Sequence, residues 1–229
     1  MSRREELAAG LAAVQARIAA SCVAAGRAPD EVTLVAVTKT WPASDVVLLR
    51  DLGVVDVGEN KDTEAAPKAA RVDGVRWHFV GQVQTNKARS VASYADLVHS
   101  LDRARLARAL ADGARRAGRA VGVLVQVSLD EDPGRGGALP GDVPALADLA
   151  ASLGGLRLDG VMAVAPRGGE PRAAFDRLAE VARRVRAQHP RATVMSAGMS
   201  GDLEAAVAAG ATHVRIGTAL LGHRPPVLR

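Results

Sequence analysis

The stretch Val32-Thr33-Leu34-Val35-Ala36-Val37-Thr38-Lys39-Thr40-Trp41-Pro42 decides the fold. Its apolar run from Leu34 to Val37 is unbroken by polar residues, so this strand must be covered on both faces, as in a parallel sheet. The turn behind it, Lys39-Thr40-Trp41-Pro42, has no glycine. An open doubly wound sheet usually carries a Gly-rich phosphate turn at that point. Outward from this strand, β-branched runs alternate with helical stretches. The predicted strands are 32–38, 54–58, 75–80, 96–100, 121–128, 156–163, 192–196 and 213–216. The predicted helices between them are 44–52, 62–70, 86–94, 103–117, 143–152, 170–188 and 201–208. Strands that alternate with helices of about 10–15 residues imply βαβ units, and eight such strands imply a closed (β/α)8 barrel. An extra helix precedes them, because Leu7, Leu11, Val14 and Ile18 recur at helical spacing near the N-terminus.

Bulk properties agree. The 229 residues match one barrel of roughly 250, and no linker divides them, so residues 1–229 read as a single domain. Aromatics make up only 2% of the chain, so Ala, Val and Leu are expected to fill the core, the barrel interior included. Gly222–Arg229, with Pro225-Pro226, reads as a short exit. The net charge of +5 comes from arginine, since Lys39, Lys61, Lys68 and Lys87 are the only lysines. These arginines are scattered on polar helix faces, and the chain has few aromatic platforms for stacking bases, so no nucleic-acid partner is expected. Cys22, the one cysteine, has no intrachain partner and suits a reducing compartment. Arg3, Arg4, Glu5, Glu6 and Arg17 argue against a signal peptide, and no charge-free apolar run reaches about 18 residues. A cytoplasmic protein with no membrane partner is expected.

Functional residues of a barrel sit at the C-terminal ends of its strands. That rule selects Lys39, Glu59-Asn60, the segment from His78 to Gln82, Ser128 and Asp130, Met162, the segment from Ser196 to Ser200, and Arg215-Ile216-Gly217-Thr218. Lys39 at the end of an apolar strand has two readings. It is a snorkelling or ion-paired lysine, or an amine walled by apolar groups and so primed to attack an aldehyde. Ser196-Ala197-Gly198-Met199-Ser200-Gly201 before a helix, with Gly217-Thr218 after the last strand, reads as a phosphate cradle from the two loops where barrels often place one. An amine facing a phosphate cradle fits a sugar phosphate handled by a Schiff-base aldolase, or pyridoxal 5′-phosphate.

The blocks Ala36-Val37-Thr38-Lys39-Thr40, Gly58-Glu59-Asn60, Trp77-His78-Phe79-Val80-Gly81, Gln84-Thr85-Asn86-Lys87, Gly198-Met199-Ser200 and Arg215-Ile216-Gly217-Thr218 resemble the pyridoxal phosphate homeostasis protein family. The likeness covers nearly the whole chain in order. It implies the barrel of alanine racemase without that enzyme's second domain. It also implies pyridoxal 5′-phosphate held on Lys39 as a Schiff base, Arg215 facing the pyridine nitrogen, and Ser200, Gly217 and Thr218 at the phosphate. Asn60 and Met162 are expected beside the ring. The implied role is cofactor carrier and regulator in vitamin B6 and amino-acid homeostasis, acting as a monomer and serving apo-enzymes, with no robust turnover. A weak racemase is the alternative, alongside the aldolase. Two positions depart from the family pattern: Ser128 stands for its asparagine and Arg135 for its lysine.

Arginine cannot take up the proton that an acid would share with the ring nitrogen, which weakens the ring as an electron sink. The one tyrosine, Tyr94, falls on a predicted surface helix. His78 reads as a satisfied core histidine or a cofactor neighbour. His99, His189, His213 and His223 are too dispersed in sequence for a metal site. Lys87 reads as a helix start or a surface charge pair.

Overall fold

The computed structural model describes residues 1–130 and 133–222. Eight parallel strands close into a barrel in chain order: β1 (Thr33–Val37), β2 (Asp56–Glu59), β3 (Arg76–Phe79), β4 (Leu97–Leu101), β5 (Val121–Gln126), β6 (Leu156–Met162), β7 (Val194–Ser196) and β8 (His213–Ile216). The seam between β8 and β1 pairs Val35 with Arg215 and Ala36 with Ile216. The expected exit segment lies outside the described residues apart from Gly222.

Helices α1 (Arg3–Ala24), α2 (Ala43–Asp51), α3 (Asp62–Ala69), α4 (Ala88–Tyr94), α5 (Ala104–Arg116), α6 (Val143–Ser152), α7 (Pro171–Gln188), α8 (Leu203–Ala208) and α9 (Thr218–Leu221) surround the strands. Strand side chains alternate in and out of the barrel. Trp77 and Phe79 accordingly join the shell between strands and helices. That shell is built largely from Ala, Val and Leu, as the composition requires. Leu7, Leu11, Val14, Ile18 and Cys22 of α1 are buried in the same shell. By length and composition α1 is apolar enough to cross a membrane, but this buried stripe packs on the protein itself.

The barrel interior departs from the expected aliphatic filling. One part is apolar, with Leu97, Leu124 and Met162 in contact. Another part is polar: Asp56, His78, His99, Ser196 and Arg215 are all buried. Each has a hydrogen-bond partner, which is the condition for burying such groups.

Candidate functional site

Thr38 and Lys39 leave the end of β1 in a tight turn, closed by donation from the Trp41 N–H to the Thr38 carbonyl at 3.1 Å. Thr40 lies at φ +68°, a costly conformation for a β-branched residue. The Thr40 N–H donates to Glu64 Oε2 at 2.7 Å, which holds the turn. Lys39 is exposed. Behind the turn, Thr38 is buried and its hydroxyl donates to Glu59 Oε1 at 2.7 Å.

The opposite side of the seam is the corner between β8 and α9. A Cβ built on Gly217 would lie 3.4 Å from the Val37 carbonyl oxygen, so Gly217 abuts the strand that carries Lys39. The Ala219 N–H donates to Ser200 Oγ at 3.3 Å, which draws the loop after β7 to the start of α9. Gly198 makes this loop possible. It sits at φ +90°, and a Cβ there would stand 2.6 Å from the Ala206 Cβ. The Met199 N–H is engaged by Asp202 Oδ1 at 2.6 Å and the Leu220 N–H by the Gly217 carbonyl at 3.0 Å, so the donors of this corner come from the Ser200 hydroxyl and Thr218. Arg17 of α1 braces the corner, donating to the Ser200 carbonyl at 3.2 Å and to Glu204 at 2.7 Å.

Arg215 is buried one layer below. It donates to Ser196 Oγ at 2.6 Å and to the Ala163 carbonyl at 2.9 Å. Burial pushes its guanidinium down to about 10, partly offset by Asp202, so it stays charged at neutral pH. Met162 is buried in the inner apolar cluster. Asn60 is half-buried after β2. It does not cap α3, whose flanking residue is Lys61 with no side-chain cap. Instead it lies against Gly81, where a Cβ would come within 2.7 Å of its Oδ1. The structure therefore gathers Lys39, Ser200, Gly217 and Thr218 at the seam and sets Arg215 beneath them.

Other readings are corrected. Tyr94 is half-buried and not a surface tyrosine; its hydroxyl donates to Asp62 Oδ1 at 3.2 Å. Strands β3, β4 and β8 bring together His78, His99 and His213, which look dispersed in sequence: His78 and His99 ring centroids are 5.1 Å apart, His78 and His213 6.2 Å. Among the described residues no group of three or more His, Cys, Asp or Glu is placed to hold a metal. His223 lies outside the described residues. Lys87 flanks the start of α4 and stands 3.9 Å from Asp62, as both its readings require. Arg135 ties its loop to Asp130 at 2.8 Å and to the Ala165 carbonyl at 2.7 Å, and the Ser128 hydroxyl donates to the Asp130 carbonyl. Sequence reasoning missed Lys68, a buried helix lysine 2.6 Å from Glu59. It also missed Asp56 and the partnership of Ser196 with Arg215; the one available signal was charge at inward positions of otherwise apolar strands.

By fold and sequence together, this chain belongs to the alanine racemase N-terminal domain family, whose model matches residues 11–225, and within it to the pyridoxal phosphate homeostasis proteins. A relative of that name from Mycobacterium bovis is 44% identical over 97% of this chain and 94% of its own length. The Escherichia coli relative of the same name is 38% identical over 96% of this chain and 97% of its own. The structure of PipY from Synechococcus elongatus with PLP bound superposes with a TM-score of 0.82 at 33% identity, covering 94% of this chain and all of that one.

Proposed function

We propose that this protein binds pyridoxal 5′-phosphate at the C-terminal mouth of the barrel and acts as a carrier and regulator of the cofactor. The observation that carries this reading is the seam itself: an exposed lysine turn abuts a corner built from Ser200, Gly217, Thr218 and Ala219. The site fits the group. Gly217 has φ −110°, and a Cβ there would meet nothing closer than 3.4 Å. The protein's own packing thus does not demand glycine, and a side chain would fill the space a phosphate needs. The Ser200 hydroxyl and the hydroxyl and N–H of Thr218 at the start of α9 are donors suited to an anion.

When bound, the cofactor supplies an aldehyde conjugated to an electron-withdrawing ring. Lys39 Nζ would be the amine that holds that aldehyde, as a Schiff base formed with loss of water. Arg215 would present guanidinium N–H donors toward the ring nitrogen, with no proton-accepting capacity there. Asn60 and Met162 would be neighbours of the ring.

Carriage fits these residues better than amino-acid turnover. Lys39 lies open to water, which favours exchange over sequestered chemistry. The single tyrosine is tied to Asp62. We read the protein as a monomer that passes cofactor to apo-enzymes. The test is to load purified protein and record visible absorbance, then incubate it with single enantiomers of alanine and serine. A visible band abolished by borohydride, without racemisation, is expected. A colourless protein after loading overturns cofactor binding. Racemisation dependent on Lys39 near the typical enzymatic ~10 per second overturns the carrier reading.

A further inference from the structure

The buried Arg215 guanidinium has no carboxylate within ion-pair distance among the described residues. A buried cation normally requires one. Asp202 acts on Arg215 from beyond contact distance, and the hydrogen bonds of Arg215 lead into side chains on four other strands. Arg215 donates to Ser196 Oγ at 2.6 Å. Ser196 Oγ is 2.9 Å from His99 Nδ1, His99 Nε2 is 2.9 Å from His78 Nδ1, and His78 Nε2 is 2.9 Å from Asp56 Oδ1. Asp56 also receives Arg76 at 2.6 and 2.7 Å, and the Arg76 side chain is 61% exposed. Hydrogen-bonded side chains therefore connect Arg215 to the first residue of β2 and, through Arg76, to solvent.

The donor directions in this chain are determined. Ser196 Oγ accepts from Arg215, so its own hydrogen needs an acceptor, and His99 Nδ1 is the one within reach. His99 then carries its proton on Nε2 and donates to His78 Nδ1. His78 donates from Nε2 to Asp56. Every link points the same way, from the guanidinium to the carboxylate, with both rings neutral. Any other placement leaves a buried hydrogen without a partner, at a cost of about 1–3 kcal/mol. Aligned bonds of this kind polarise one another. His213, whose ring faces His78, bonds Thr212 at 3.0 Å and takes no part in the chain.

We infer that Asp56, His78, His99 and Ser196 are positioning residues whose aligned hydrogen bonds run from Asp56 across the barrel and hold the Arg215 guanidinium aimed at the mouth. This rests on the reading that Arg215 meets the cofactor ring. It adds that the strength of that contact is set at the opposite end of the barrel.

The test is nitrogen-15 NMR of the histidine rings and of the Arg215 side chain in cofactor-free protein, followed by visible spectra and cofactor-release rates after loading. Wild type is expected to show His78 and His99 both protonated on Nε2. Asp56→Asn preserves shape while removing the charge. It is expected to shift the Arg215 resonances, mix the histidine tautomers and speed release at least tenfold. His99→Leu, which cuts the chain, is expected to act similarly on Arg215; should it not fold, Asp56→Asn alone decides. A proton on Nδ1 of either ring in wild type overturns the relay. So do unchanged Arg215 resonances in Asp56→Asn. Failure of every form to bind cofactor counts against the proposed function alone, because the ring and guanidinium spectra still decide the relay.

Discussion

Lys68 Nζ lies 2.6 Å from Glu59 Oε1 and 3.0 Å from the Thr38 carbonyl, so a buried ion pair stands directly behind the residue that precedes Lys39. Glu59 Oε1 also accepts from the Thr38 hydroxyl, while Oε2 has no partner among the described residues. Burial pushes the Glu59 carboxyl up despite the opposing pull of Lys68 and Thr38. The pair fixes the end of β1 and thereby the origin of the lysine turn. Lys68→Met strips Glu59 of its counter-charge and is expected to destabilise the fold by about 3–5 kcal/mol. Lys68→Met with Glu59→Leu is expected to recover most of that loss. Urea denaturation midpoints of the two variants check this.

Ser200→Ala removes a hydroxyl from the proposed phosphate corner and leaves the lysine in place. A hydrogen bond to a charged group is worth about 1.5–3 kcal/mol. Affinity for pyridoxal 5′-phosphate is therefore expected to fall roughly 10- to 150-fold, with the covalent link still forming. The check is equilibrium binding of the phosphorylated cofactor beside pyridoxal. Pyridoxal should be nearly indifferent to the substitution, and equal losses for both ligands contradict the assignment.

Arg17→Ala tests whether α1 supports the site. Its guanidinium joins the Ser200 carbonyl to Glu204. Loss of this brace is expected to raise amide exchange across 199–201 and quicken cofactor release, while stability changes by no more than about 1 kcal/mol, as for an exposed pair. Hydrogen exchange read by mass spectrometry reports the first effect, and dilution kinetics the second.

Stability is expected to fall as the medium is acidified below neutrality. Burial lowers the His213 ring to about 4 and drives His99 well below the ordinary 6.5, aided in both by nearby positive groups. Once unfolded, both rings bind protons below about pH 6.5; folded, they resist. The unfolded state thus holds more protons between pH 6.5 and 4, and stability declines through that window by up to about 1.4 kcal/mol per pH unit for each ring. Asp56 adds to the loss at lower pH. Burial alone would raise it, but its bonds to His78 and Arg76 hold it well below the usual carboxylate range. Denaturation midpoints at pH 7.5, 6.5, 5.5 and 4.5 measure the slope, which His213→Asn should flatten.

The eight strands and their order were legible because apolar runs such as Leu34–Val37 mark buried parallel strands, and the structure moves the predicted ends by only a few residues. The positions of Lys39, Gly217 and Thr218 just past the ends of β1 and β8 were legible for a related reason, since the ends of apolar runs mark where strands stop. The polar interior was not. His78, His99, Ser196 and Arg215 are separated by up to 137 positions in sequence. Only barrel closure sets them side by side, so no local pattern betrays the chain they form. Lys68 was illegible too, because a lysine in Asp62–Ala69 has the composition of a solvated face, and only the carboxylate of Glu59 draws it inward.

The central claim is that Lys39 carries the cofactor. The most direct measurement is borohydride reduction of protein loaded with pyridoxal 5′-phosphate, followed by peptide mass mapping of wild type and Lys39→Ala. Wild type is expected to show the pyridoxyl phosphate mass on Lys39 alone and Lys39→Ala to show none, with both folding equally well by circular dichroism. Modification mapped to Lys61, Lys68 or Lys87, or a visible band that survives in Lys39→Ala, contradicts the account.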